Sequence, residues 1–199
     1  MFDNGHNNKK NLLGLKMSGI DLSRISVLVV EDSPFIRTLI VNSIRILGVQ
    51  TVRSVDDGAE AIEFLKLVDE QPMKAGMMSV DIIICDWEMS PVNGLMLLRW
   101  IRRHKESSDR FKPFVMLSGY SEPKRVQEAR DMGVTEFMSK PFSVKALANK
   151  LQSVIFKPRQ FVHTASYFGP DRRRQEIPIS GEDRRKFTYD SQEVEIVNV

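Results

Sequence analysis

The chain has 199 residues, 42% of them hydrophobic and 28% charged, with 11 Gly and 9 Pro; this mix fits a globular domain and excludes collagenous and disordered classes. No apolar run exceeds four residues, whereas a membrane-spanning helix needs roughly 20, and Met1–Lys10 lacks the apolar centre of a secretory signal. A net charge of +3 from 29 basic and 26 acidic residues is too balanced to announce nucleic acid, and one Cys excludes an internal disulfide or a Cys-rich zinc site, so the expectation is a cytoplasmic protein.

Charge is unevenly spread. Residues 1–20 carry three Lys and one Asp, residues 159–199 carry seven basic and seven acidic groups, and 21–158 is nearly neutral. Neither end segment has the regular apolar spacing that builds a core of its own. The expected organisation is one domain at 21–158, with a flexible N-terminal extension at 1–20 and a flexible C-terminal tail at 159–199.

Within the domain, short apolar runs alternate with amphipathic stretches. A strand is predicted at Val27–Val30, followed by Glu31 and Asp32. A helix then opens at Ser33-Pro34, a cap and a first-turn proline. It carries Ile36, Leu39, Ile40, Ile44 and Leu47 on one face and stops at Gly48. Further strands are predicted at Thr51–Val55, Ile82–Cys85, Phe114–Leu117 and Val134–Met138. A last helix after Ser143 places Val144, Leu147, Leu151 and Val154 on one face. Continuous apolar strands are those buried on both faces of a parallel sheet. The alternation therefore predicts an α/β fold, a doubly wound five-stranded parallel sheet with helices on both faces. Right-handed crossovers put every strand C-terminus along one edge.

That edge collects the polar residues that follow the strands: Glu31, Asp32, Asp86, Ser118 and Lys140. Taken singly, each acid reads as a solvated loop group; the ordered set points to a site. Carboxylates sharing a cleft repel each other and seek a cation, and hard oxygen ligands without His or Cys suit Mg²⁺. A carboxylate beside Mg²⁺ can attack a phosphoryl donor, with Lys140 and Ser118 meeting the phosphoryl oxygens. Phe137 reads as a core or half-core ring, and Cys85 as a small buried hydrophobe.

At these residues the chain resembles the receiver domain of bacterial two-component response regulators, in a single-domain, chemotaxis-regulator-like form. The matching pieces are Val27-Leu28-Val29-Val30-Glu31-Asp32, Ile84-Cys85-Asp86-Trp87-Glu88-Met89, Met116-Leu117-Ser118-Gly119 and Ser139-Lys140-Pro141-Phe142, with Gly58 and Gly94 at the family's turns. The resemblance implies a flavodoxin-like fold in which Asp86 accepts a phosphoryl group from a histidine kinase or a His-phosphotransfer protein. It implies that Glu31, Asp32, Asp86 and the backbone carbonyl of Glu88 bind Mg²⁺. It also implies that Ser118 is the switch hydroxyl, Phe137 the switch aromatic and Lys140 the phosphoryl-pairing cation. Such a protein self-phosphorylates and slowly self-dephosphorylates, is no enzyme beyond that, and signals by switching a contact with a downstream protein. The chain departs from the pattern in a longer stretch at Asp69–Val80, in a proline one place late at Pro91, and in Phe137 having no hydroxyl.

The tail repeats Gly-x-Asp-Arg-Arg, at Gly169–Arg173 and again at Gly181–Arg185, with aromatics at Tyr167, Phe168, Phe187 and Tyr189. Arg forks beside aromatic anchors suit a docking element, while the interleaved acids argue against nucleic acid, and no helix-turn-helix-sized segment is left over. Two other readings stay open: a constitutive adaptor working through this tail, and a Mg²⁺-dependent phosphate-transfer enzyme with Glu88 as its second acid.

Overall fold

The computed structural model describes residues 22–120, 122–172 and 194–197. The N-terminal extension at 1–20 and the second Gly-x-Asp-Arg-Arg copy lie outside the described residues. After a 3-10 turn at Leu22–Arg24 come β1 (Ser26–Val30), α1 (Pro34–Ile46), β2 (Thr51–Val55), α2 (Gly58–Glu70) and the short α3 (Pro72–Ala75). The chain continues through β3 (Ile82–Asp86), α4 (Gly94–Arg103), β4 (Phe114–Ser118), α5 (Pro123–Asp131), β5 (Glu136–Ser139) and α6 (Val144–Phe156). The last elements are β6 (Phe161–His163), β7 (Phe168–Pro170) and β8 (Glu195–Val197).

β1 to β5 form the expected parallel sheet, in the order β2-β1-β3-β4-β5. Its two faces divide the continuous apolar strands residue by residue. Leu28, Val30, Ile83, Cys85, Phe114 and Met116 pack with α2 and α4 on one side. Val27, Val29, Ile82, Ile84, Val115 and Leu117 pack with α1 and α6 on the other. Period-two side-chain alternation in a strand covered on both sides produces this split. The helix starts follow the local chemistry: Ser33, Asp57, Asn93 and Ser143 each accept a backbone N–H from the first turn of their helix.

Three details differ from the expectation. β5 begins two residues later than the apolar run, because the Thr135 hydroxyl instead accepts the Phe114 N–H at the approach to β4. Leu39 and Val144, assigned to buried helix faces, are 48% and 38% exposed, since each lies at the margin of its stripe. The longer stretch folds as the end of α2 plus α3, with Met77 buried and Met73 and Met78 exposed.

The expected boundary at 158 does not mark the end of packed structure. β6 and β7 form an antiparallel hairpin, and β8 pairs with the other edge of β6. Phe161 and Phe168 are buried and meet Phe111, with ring centroids 5.1 and 5.3 Å from it. The segment does not build a core; it borrows one at the end of the sheet opposite the acidic residues. Gly133, at φ +88°, allows this: a Cβ there would strike the Phe168 carbonyl, and one on Gly169 would strike the Gly133 Cα.

Candidate phospho-acceptor site

The C-terminal ends of β1 and β3 bring Glu31, Asp32 and Asp86 together, with one carboxylate oxygen from each lying within 4.8 Å of the others. Glu31 is 1% and Asp86 7% exposed, whereas Asp32 faces solvent. Lys140, in the segment that leaves β5, reaches in between. Its Nζ lies 2.6 Å from Glu31 Oε2 and 3.0 Å from Asp86 Oδ1. Asp86 Oδ1 also accepts the Trp87 N–H at 2.8 Å. The β3–α4 turn folds tightly over the C-terminal end of the strand, and a Cβ at Gly94 would collide with the Asp86 carbonyl.

Burial pushes the Glu31 and Asp86 carboxyls above their ordinary range, while the Lys140 ammonium pulls them back. Burial also works against the Lys140 ammonium, but its hydrogen bonds and attraction to the two acids outweigh this and hold its pKa above the usual lysine value. Three acids against one ammonium leave a net negative, oxygen-rich cleft with no His or Cys among its candidate ligands. That donor set fits a hard divalent cation.

Ser118 ends β4 and is wholly buried. Its Oγ accepts the Tyr120 N–H at 3.1 Å, and its carbonyl accepts the Lys140 N–H at 2.7 Å. The hydroxyl is thus engaged by its own loop. Phe137 is half-buried in β5, away from the carboxylates, and lines a cavity toward α5 and α6. The Glu88 carboxylate pairs with Arg125 at 2.8 Å. The Arg125 guanidinium lies over Tyr120, 4.5 Å from the ring centroid, and also 5.7 Å from that of Trp87. This clip ties the loop after Asp86 to the loop after Ser118. Sequence reasoning missed Arg125 because a lone Arg in the first turn of a polar helix carries no motif. Arg37, which donates to the Glu31 carbonyl at 2.7 Å and pairs with Asp56, was equally silent.

The sequence pattern of the response regulator receiver domain matches residues 27–152. The chain belongs to the response regulator receiver family. Among this receiver's relatives, the chemotaxis protein CheY1 of Helicobacter pylori is 33% identical over 133 residues, covering 66% of this chain and 97% of that protein. The receiver domain of the histidine kinase CKI1 from Arabidopsis thaliana, solved in complex with Mg²⁺ and BeF₃⁻, is 25% identical with a TM-score of 0.57, covering 68% of this chain and 95% of that one. The receiver domain of the sensor histidine kinase PA1611 from Pseudomonas aeruginosa, solved with a magnesium ion in its active-site cleft, is 26% identical with a TM-score of 0.53, covering 66% of this chain and 98% of that one. The acidic cluster of this receiver is of the kind that serves phosphotransfer and autodephosphorylation rather than turnover of a separate substrate. Among the described residues, no helix is long and apolar enough to cross a membrane.

Proposed function

We propose that Asp86 of this receiver accepts a phosphoryl group from a phosphohistidine donor, on a histidine kinase or a His-phosphotransfer protein. The observation that carries the reading is Lys140 bridging Glu31 and Asp86 at the sheet edge, with Asp32 open beside them. Glu31, Asp32, Asp86 and the Glu88 carbonyl would hold Mg²⁺, with Glu31 also aligning Lys140. When bound, the cation neutralises charge on the transferring phosphoryl group.

An Asp86 carboxylate oxygen attacks phosphorus in line with the breaking P–N bond, forming an acyl phosphate and returning the electron pair to the imidazole nitrogen. Lys140 stays charged throughout and pairs with a phosphoryl oxygen. Ser118 leaves the Tyr120 N–H and donates its hydroxyl proton to another. Phe137 then follows the space that Ser118 vacates, and the face made by α5, β5 and α6 presents a different surface to a downstream protein. The receiver unit occupies 21–158 and works in the cytoplasm, where its one thiol, Cys85, stays buried and reduced. The test is incubation with acetyl phosphate and Mg²⁺. Wild type should gain one acid-stable, hydroxylamine-labile phosphoryl group, and a label that persists in Asp86→Asn would sink the assignment.

A further inference from the structure

One guanidinium outside the acidic cleft touches three residues whose backbones serve it. Arg125, in the first turn of α5, donates to the Glu88 carboxylate at 2.8 Å. Its guanidinium carbon lies 4.5 Å from the Tyr120 ring centroid and 5.7 Å from that of Trp87. The Trp87 N–H donates to Asp86 Oδ1 at 2.8 Å, and the Tyr120 N–H donates to Ser118 Oγ at 3.1 Å. The carbonyl of Glu88 is the candidate metal ligand of the same loop. Arg125 therefore grips, from outside, the peptide units that aim the acceptor oxygen and the switch hydroxyl.

The helix that carries Arg125 gives no reason for a cation at this place. α5 opens Pro123-Lys124-Arg125 with no acid in its first turn, and Glu122 before it makes no capping hydrogen bond. Cations at a helix N-terminus oppose the backbone dipole. The contacts across the two loops offset that cost, because a guanidinium stacks its face on aromatic rings while its edge pairs with a carboxylate. The Tyr120 side chain is half exposed, so its ring is held by the guanidinium more than by burial. With Tyr120 held, its N–H stays aimed at the Ser118 hydroxyl.

We propose that Arg125 is a latch on the unphosphorylated receiver. It is a positioning residue that ties Tyr120, and through it Ser118, to the loop after Asp86, and it lets go when Ser118 turns to the phosphoryl group. The inference rests on Asp86 being the acceptor. The free energy needed to open the latch subtracts from the affinity for the phosphoryl group, so removing the latch raises that affinity.

Beryllofluoride stands in for the phosphoryl group in the test, with Mg²⁺ at saturation, and titration calorimetry of the full chain reads its affinity. Arg125→Ala should bind it about fivefold more tightly than wild type, the scale of an exposed ion pair and a cation–π contact that no longer have to be broken. Tyr120→Leu should give a smaller rise, and Arg125→Ala should add little in that background, because both substitutions remove one shared contact. Raising the ionic strength to about 1 M, where the Debye length is ~3 Å, should narrow the gap between wild type and Arg125→Ala. Arg125 is partly exposed and alanine is the best helix former, so the variant keeps its fold, which circular dichroism checks. Equal affinities in wild type and Arg125→Ala would overturn the latch and leave the acceptor reading standing. Weaker binding in Arg125→Ala, restored by adding Glu88→Gln, would overturn it as well, since Arg125 would then serve only to neutralise Glu88. Binding absent from wild type, or kept in Asp86→Ala, would overturn the acceptor reading and the latch with it.

Discussion

The two ends of the sheet each hold a cation, half-buried Lys140 at one and fully buried Arg102 at the other, and they satisfy it in opposite ways. At the C-terminal edge, Lys140 lies between two carboxylates that burial has already pushed toward protonation. At the other end, Arg102 is fully buried and, among the described residues, bonds neutral oxygens: the carbonyls of Gly133 at 3.0 Å and Arg110 at 2.8 Å, and the Thr135 hydroxyl at 3.4 Å. The Phe161 ring lies 5.2 Å from its guanidinium carbon, and burial draws its pKa down to about 10. The first arrangement leaves charge unbalanced and open to a ligand. The second leaves nothing for a ligand to do.

The largest expected effect lies at the functional end. Asp86→Asn should abolish phosphoryl labelling by acetyl phosphate while leaving the far-ultraviolet circular dichroism unchanged.

The structural end should answer in stability instead. Arg102→Met leaves the Gly133 and Arg110 carbonyls without their guanidinium donor, while the Thr135 hydroxyl keeps the Phe114 N–H, and should cost about 3 kcal/mol in urea unfolding with little effect on labelling by the folded fraction. A loss of labelling out of proportion to unfolding would break the division between the two ends.

Adding Mg²⁺ should raise stability by about 2.7 kcal/mol at one hundred times its dissociation constant, read as a shift in the thermal midpoint. Asp32→Ala should remove most of that shift, whereas Arg102→Met should keep it. Gly133→Ala should cost about 1–3 kcal/mol, because an alanine there is strained and pushes the Phe168 carbonyl away. Hydrogen exchange should then rise across Phe161–Pro170 before it rises in the parallel sheet.

The smallest effect is one of pH. The folded carboxyls of Glu31 and Asp86 bind protons more tightly than their ordinary values of 4.5 and 3.8. Their contribution to stability is therefore fully present below those values and is lost as pH rises through the raised folded ones. Asp86→Asn should be modestly more stable than wild type in urea at pH 7, and that advantage should fade toward pH 4. A variant less stable than wild type at pH 7 would show that Lys140 gains more from Asp86 than burial costs it.

The acidic end was legible because each of its groups is the last residue of a strand or lies within two residues after one. Glu31, Asp32, Asp86, Ser118 and Lys140 needed only the alternation of strands and helices to be placed on one edge, and the motifs around them carried the family resemblance. The hairpin end was not legible. Phe161, Val162 and Phe168 sit in three-residue strands, too short for a period to show, and their burial depends on Phe111 and Gly133, which are distant in sequence. Arg102 reads as one of several basic residues ending a helix, and nothing local distinguishes it from exposed Arg103. The first Gly-x-Asp-Arg-Arg copy stood out as a repeat, but its use did not: Gly169 allows close approach to Gly133, and Arg172 covers Tyr167 and pairs with Asp131.

By itself, then, the sequence determined the alternation of strands and helices in the parallel sheet, the residues at its C-terminal edge and the chemistry those residues share, because periodicity and helix caps act over neighbouring positions. Only the tertiary structure decided that Lys140 bridges two acids, that Arg125 clips two loops together, and that the segment after residue 158 packs beneath the sheet. Those contacts join residues whose separation along the chain leaves no period to read, and they form only when the sheet has set the distances between its strand ends.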